Sequence, residues 1–294
     1  MTAPPPVHPR RLAYLGTPGF AVGPLRALHE AGFEIPLVVS RPDKRRSRRG
    51  HDEASPVKAA ALELGLPVTA EVDAVLGCGA EVGIVVAYGR IIKPHVLAEV
   101  PMLNLHFSRL PRWRGAAPVE RAILAGDQSV GVDLMALEEG LDTGPIYARA
   151  ETELGTSETA QELRSRLSEL GTRLLLQTLT RGIPEPQPQA GSVTYAEKIG
   201  SEDLHIDWGA PAETVNRVIR VGGAWTSFRG RRFKIHRALV VAGGAGPGVP
   251  DGVTVGCGSG ALRLVEVQPE GRSRMEATAW AHGARPGPGD RFGQ

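Results

Sequence analysis

The sequence predicts an α/β chain in two parts: a doubly wound, mostly parallel sheet, followed by a run of short strands whose pattern suits a small β-barrel. Three observations carry this. Across residues 11–150 short apolar runs alternate with segments of helical period, the pattern of units that lay parallel strands side by side. Residues 182–191, G-I-P-E-P-Q-P-Q-A-G, then break every regular period. Beyond them the apolar runs are short and separated by Gly and Pro, as in small antiparallel barrels. A chain of 294 residues suits about two domains. The expected boundaries are a disordered tail at 1–10, an α/β domain at 11–181, a linker at 182–205 and a β-barrel domain at 206–294.

The elements follow in order. Residues 12–16 form an apolar strand, and 18–31 a helix whose first turn tolerates Pro18. That proline also excludes a dinucleotide turn at Gly16, because G-x-G-x-x-G needs glycine at 18. Residues 35–40 are the next strand. A helix at 55–65 has Ser55 as its N-cap, Pro56 at its first position and Gly65 at its end. Strands follow at 81–87 and 101–107, a helix at 116–125 with Pro118 in its first turn, and strands at 130–137 and 144–150. Leu163, Leu167, Leu170, Leu174 and Leu175 recur at helical spacing and predict a long helix over 157–181. After the break come a short helix at 212–220 and strands at 226–228, 231–241, 253–256 and 261–267.

Composition sets limits on function. Lys and Arg number 34 against 32 Asp and Glu, so the formal charge of +2 says little about a polyanionic partner. The distribution says more. Residues 41–49 hold Arg41, Lys44, Arg45, Arg46, Arg48 and Arg49 against Asp43 alone. Residues 217–237 hold Arg217, Arg220, Arg229, Arg231, Arg232, Lys234 and Arg237 with no acid. Either run alone suits a solvated face; two on a balanced chain suggest a surface that follows phosphates. Cys78 and Cys257 lack zinc-knuckle spacing and read as free thiols in a reducing cytoplasm, and no metal is expected. No stretch approaches the roughly 20 apolar residues of a membrane helix. The polar, Pro-rich start has no secretory core, so a cytoplasmic protein without a membrane partner is expected.

The most informative stretch is N-L-H-F-S-R-L-P-R-W-R-G-A-A-P at 104–118, followed by G-L-D-T-G-P at 140–145. Strand alternation puts Asn104 and His106 on one face and Leu103, Leu105 and Phe107 on the other. An amide donates to a developing oxyanion, an imidazole moves protons, and Asp142 from a Gly-bounded loop orients the imidazole. Such a set performs acyl transfer to an amine that the substrate itself brings. The same residues also suit a solvated strand edge and a closed turn.

The whole string resembles the formyltransferases that use 10-formyltetrahydrofolate, and R-W-R-G-A-A-P resembles the methionyl-tRNA formyltransferases among them. R-L-A-Y-L-G-T-P-G-F at 11–20, R-P-D-K at 41–44, S-P-V-K at 55–58, V-V-A-Y-G-R-I-I at 85–92, V-T-Y-A-E-K-I at 193–199 and I-D-W at 206–208 match in the same order. The resemblance implies 10-formyltetrahydrofolate as formyl donor, initiator methionyl-tRNA as partner and no DNA. It implies an oligonucleotide-binding-like barrel at the C-terminus. It makes Asn104, His106 and Asp142 catalytic, and Ser108, Arg109, Leu110, Pro111, Tyr88 and Gly89 folate-binding. tRNA contacts are expected from Arg41, Lys44, Arg45, Arg46, Arg48 and Arg49, and in the barrel from Arg231 and Arg232. Arg112, Trp113 and Arg114 either anchor the loop or meet a substrate. The chain departs from the family at Arg109, where a leucine is usual, and at Ser47 and Arg49, which flank Arg48 where glycines are usual. Two other functions remain open at this point: formyl transfer to an amino sugar or glycinamide ribonucleotide, and RNA binding without catalysis.

Overall fold

The computed structural model describes residues 4–45, 52–287 and 289–294, and only the backbone at 44, 45 and 52. It divides into two compact units. One holds Met1–Pro118, Ser129–Glu153 and Arg164–Glu197; the other holds Val119–Gln128, Leu154–Leu163 and Lys198–Gln294.

The chain opens with β1 (Arg11–Gly16), a 3-10 turn at Gly19–Ala21, α1 (Val22–Glu30) and β2 (Glu34–Val39). The expected helix at 18–31 thus begins late: Pro18, with extended backbone, precedes the 3-10 turn. A hairpin of β3 (Lys44–Arg45) and β4 (Asp52–Glu53) leads to α2 (Pro56–Glu63). There Ser55 Oγ accepts from the Lys58 N–H at 3.0 Å, the cap its sequence predicts. Next come β5 (Val68–Thr69), β6 (Val82–Val86), α3 (Pro94–Glu99), β7 (Met102–His106), β8 (Arg114–Gly115) and α4 (Pro118–Ala125). β9 (Ser129–Ala136), β10 (Ile146–Glu153), α5 (Ala160–Arg181) and β11 (Tyr195–Ala196) complete this part.

The main sheet has seven strands in the order β10-β9-β7-β6-β1-β2-β5. β7, β6, β1, β2 and β5 run parallel, while β9 and β10 run antiparallel to their neighbours. The chain winds outward from β1 to β5, then returns to lay β6 on the other side of β1. The strand order therefore reverses between β1 and β6, and ligands of such sheets gather beyond the carboxyl ends at that place. One face is covered by α3, with Leu15, Val85, Met102, Val96 and Leu97 in a common apolar cluster. The other meets α5 closely: a methyl group on Gly171 would lie 3.1 Å from Val132 Cγ1 and 3.4 Å from Leu105 Cδ2.

The expected tail and linker are both tied down in part. The Ile183 N–H donates to the Val7 carbonyl, and Gln187 bridges Ile146. β11 pairs in parallel with β8.

In the second unit α6 (Ala212–Val221) precedes an antiparallel sheet. Its strands are β12 (Trp225–Phe228), β13 (Arg231–Val241), β14 (Pro250–Asp251), β15 (Thr254–Gly256), β16 (Ala261–Pro269) and β17 (Met275–Glu276), followed by α7 (Ala277–Ala284). Val215 and Ile219 of α6 and the rings of Phe228, Phe233, Trp280 and Phe292 fill its core. The expected barrel is not closed by a ladder. The order is β12-β13-β16-β15-β14, and β12 and β14 do not pair among the described residues. Pro250 has no N–H to donate, and Gly and Pro over 243–250 leave β14 only two residues. Phe292 occupies the gap, bridging Phe228 and donating its N–H to the Gly248 carbonyl at 2.8 Å.

Candidate active site

β7 lies between β6 and β9, with Asn104 opposite Val85 and Met135, and His106 opposite Asp133. Met102, Asn104 and His106 share one face, apolar at its start and polar at its carboxyl end. Leu103, Leu105 and Phe107 are buried on the other, as the alternation predicts. Asn104 is half-buried, and among the described residues its amide has no hydrogen-bond partner. Polar groups this far inside a protein are normally paired, so an open amide at a strand end is poised for a ligand.

His106 is 5 % exposed and is met on both ring nitrogens. Nε2 donates to the Trp113 carbonyl at 2.9 Å, and Nδ1 lies 3.7 Å from Asp142 Oδ2. Asp142 is equally fixed. Its φ of +49° is left-handed, a conformation that costs a residue with a side chain roughly 1–2 kcal/mol unless neighbours enforce it. The Gly115 N–H donates to its Oδ2 at 2.8 Å. Gln189 Nε2 donates to the Asp142 and Gly144 carbonyls, both at 2.8 Å, and Gln189 Oε1 accepts from Arg114 Nε at 3.1 Å and Nη2 at 2.6 Å. Gly115 has a φ of +120°, and a methyl group there would sit 2.9 Å from the Ala196 carbonyl oxygen. The β8–β11 pairing therefore requires glycine at 115. Trp113 anchors the loop: its N–H donates to Thr194 Oγ1 at 2.9 Å, and Arg112 lies 4.4 Å over its ring.

The segment 108–111, expected to contact folate, also has partners within the protein. Ser108 Oγ donates to the Arg112 carbonyl at 2.6 Å. Arg109 pairs with Glu151 at 2.6 Å and reaches Ser129 at 3.3 Å, so this unusual residue is tied to β9 and β10. Leu110 packs on Met135 and Ile146, and the Pro111 carbonyl accepts from the Thr194 N–H at 3.2 Å. Asp133, fully buried, accepts from the Leu110 N–H at 2.8 Å and from Arg149 on both oxygens at 2.7 Å. Arg149 also donates to the Leu110 carbonyl at 2.6 Å. That pairing raises the Arg149 guanidinium above its ordinary value and offsets the cost of burying Asp133. The segment is a clamp that holds the loop from His106 to Trp113.

Tyr88 and Gly89 stand at the switch point. Tyr88 is buried with Leu15, Val85 and Ile92, and its carbonyl accepts from Thr17 Oγ1 at 3.1 Å. Gly89 has a φ of +72°, and its carbonyl accepts from Arg41. Among the described residues none accepts from the Tyr88, Gly89 or Arg90 N–H groups. Free backbone donors beside an apolar wall fit a flat heterocycle with hydrogen-bonding edges.

The basic residues divide. Arg41 Nε is buried without a partner among the described residues. Lys44 and Arg45 lie in β3, while Arg46, Arg48 and Arg49 fall outside the described residues. In the second run Arg231 and Arg232 are both exposed, and Arg232 lies 4.2 Å over the Trp225 ring. Arg220 donates to the Glu158 and Gly155 carbonyls at 2.8 and 2.6 Å, and burial pushes its guanidinium below its ordinary value. Arg229 pairs with Asp290 at 2.7 Å and holds that carboxyl down to about 2. Burial pushes the Cys257 thiol up to about 11. No group of His, Cys, Asp and Glu able to hold a metal, and no helix long and apolar enough to cross a membrane, occurs among the described residues.

Sequence reasoning missed the Trp113 carbonyl, the Gly115 N–H, Gln189 and the Asp133–Arg149 clamp. Only Asp133 leaves a signal, as an acid inside the apolar run S-V-G-V-D-L-M-A.

The formyl transferase family model matches residues 10–179, and the model of the formyl transferase C-terminal domain matches residues 198–285. A methionyl-tRNA formyltransferase from Jannaschia sp. (strain CCS1) is 43 % identical over 298 residues, covering 95 % of this chain and 98 % of its own. In fold the chain is similar to HypX from Aquifex aeolicus, solved in complex with tetrahydrofolic acid, at a TM-score of 0.68 and 18 % identity. That match covers 93 % of this chain but 47 % of the longer HypX chain. Similar too is the methionyl-tRNA formyltransferase from Clostridium thermocellum, with a TM-score of 0.60, 18 % identity and coverage of 78 % and 92 %. The chain belongs to the formyl transferase family, among the methionyl-tRNA formyltransferases.

Proposed function

We propose that this protein transfers the formyl group of 10-formyltetrahydrofolate to the α-amino group of methionyl initiator tRNA. The observation that carries the reading is the open Asn104 amide beside a His106 met on both nitrogens, on one strand face at the carboxyl end of a parallel sheet. Family membership and relatives named for this reaction support it.

The folate supplies an activated formyl carbon. Its heterocycle would be held by the Tyr88–Gly89 turn, whose backbone donors stand beside the apolar wall. The attacking amine is itself the nucleophile and needs none from the protein, since α-amino groups titrate near roughly pH 8 and roughly a tenth of the population is already unprotonated at neutral pH. Asn104 donates its amide N–H to the oxygen that gains charge. As the new C–N bond forms and the bond from the formyl carbon to the folate nitrogen breaks, His106 helps to pass the amine's proton to that leaving nitrogen, and Asp142 beside Nδ1 keeps the ring oriented and stabilises it when charged. Water is restrained by burial of His106 and by the loop that Asp133 and Arg149 clamp over β7. The tRNA is bound through Arg41 and the basic residues of 44–49, and through Arg231 and Arg232 on the second unit, which supports an oligonucleotide-binding role without a closed barrel.

The test offers labelled 10-formyltetrahydrofolate with charged initiator tRNA, charged elongator tRNA, amino sugars and glycinamide ribonucleotide. Formylation of the initiator species alone is the expected result. Formylation of a sugar or ribonucleotide amine without tRNA overturns the reading, as does RNA binding without any transfer.

A further inference from the structure

We propose that Gln189 is a positioning residue for the transfer reaction, acting on Asp142 from within the segment that joins α5 to β11. The inference rests on the catalytic reading of Asp142 given above. Gln189 belongs to P-E-P-Q-P-Q-A-G, which has the composition of a spacer. Its side chain is fully engaged all the same. Its amide nitrogen bridges the carbonyls of Asp142 and Gly144 at 2.8 Å each, and its oxygen accepts two bonds from Arg114.

The circuit closes on the catalytic loop from the other side. Arg114 is followed by Gly115, whose N–H holds the Asp142 carboxylate at 2.8 Å. Gln189 thus grips the backbone of Asp142, and through Arg114 it braces the strand that grips the side chain. Two features make that grip consequential. The Asp142 backbone is left-handed, with φ +49°, and persists only where neighbours over-determine it. Its carboxylate stands 3.7 Å from His106 Nδ1, in ion-pair reach but beyond a hydrogen bond, so a small displacement of the loop breaks the relation. By the same geometry Arg114 of the R-W-R-G motif serves the site through Gln189 rather than by contact with substrate.

Gln189→Glu keeps the shape and the Arg114 contact but faces both carbonyls with a second acceptor. Gln189→Leu removes donor and acceptor together. Both variants should lower the single-turnover formylation rate about tenfold, about 1.4 kcal/mol, with KM for folate and for tRNA and the melting temperature near wild type. Combined with Asp142→Asn, Gln189→Leu should slow the reaction no further than Asp142→Asn alone. Wild-type rates in both single variants, effects confined to KM or melting temperature, or additive effects in the double variant would each overturn the assignment while leaving the catalytic reading intact. An unchanged rate in Asp142→Asn would instead overturn that reading, and this inference with it.

Discussion

The carboxyl end of β7 and the basic run that spans α6 to β13 are two polar regions built in opposite ways. On β7 the strand pleat puts Asn104 and His106 on one face, and two left-handed residues, Trp113 and Asp142, turn their loops back toward it. Every group there has one direction. In the basic run the arginines scatter. Arg220 caps backbone carbonyls and Arg229 pairs with Asp290, while Arg231 and Arg232 are both exposed, Arg232 over the Trp225 ring. The difference teaches that short side chains on a strand inherit their geometry from the backbone. Long cationic ones take whatever acceptor lies within reach.

The largest effect should come from the more ordered region. Asn104→Ala should lower the single-turnover rate roughly 100- to 1,000-fold, the range for a missing oxyanion donor, with binding of both substrates retained. A rate within a few-fold of wild type would reduce β7 to a structural strand. Asp133→Ala, which leaves Arg149 and the Leu110 N–H without their buried partner, should destabilise the fold by about 3 kcal/mol. Chemical denaturation measures this, and a change below about 1 kcal/mol, less than removal of one buried partner usually costs, would mean that the clamp is dispensable.

The basic regions call for a smaller and different readout. Replacing Arg45, Arg46, Arg48 and Arg49 by Ala should weaken tRNA binding and flatten log K against log salt by roughly 0.7–0.9 for each phosphate no longer neutralised. Arg231→Ala should flatten the line by about one such step, and Arg220→Ala should leave it unchanged. Equal slopes for Arg231→Ala and Arg220→Ala would erase the distinction between exposed and structural arginines.

The smallest effect lies at Asp290. Its partner Arg229 lowers its folded pKa from an ordinary 3.8 to about 2, so the pair contributes stability above the ordinary value and loses it as pH falls through about 2. Thermal melts should show wild type above Asp290→Asn at pH 6, with the gap closing towards pH 2. A gap independent of pH would assign the effect to packing.

The elements of regular period were legible because pleat and helix repeat act over neighbouring residues. Leu163, Leu167 and Leu175 are buried along α5, and Ser55 caps α2 through the bond its position implies. Asn104 and His106 were legible for the same reason. What the sequence did not disclose is long-range. Gln189 meets Asp142 across 47 positions, and Arg149 reaches Asp133 only because β9 and β10 pair in one register. Ser108, Arg109 and Leu110 were named for folate through the resemblance, and the sequence alone does not show that Arg109 pairs with Glu151 or that Leu110 packs on Met135 and Ile146. The barrel failed to close because β14 and β15 are too short to carry a ladder to β12.

The central claim is that the β7 face formylates methionyl initiator tRNA with His106 handling the proton. The most direct measurement is single-turnover formylation of charged initiator tRNA by His106→Ala with both substrates saturating, alongside their equilibrium affinities. The account predicts a rate about 100-fold lower or more with both affinities retained. A rate near wild type, or a decrease that follows from weakened binding alone, would contradict it.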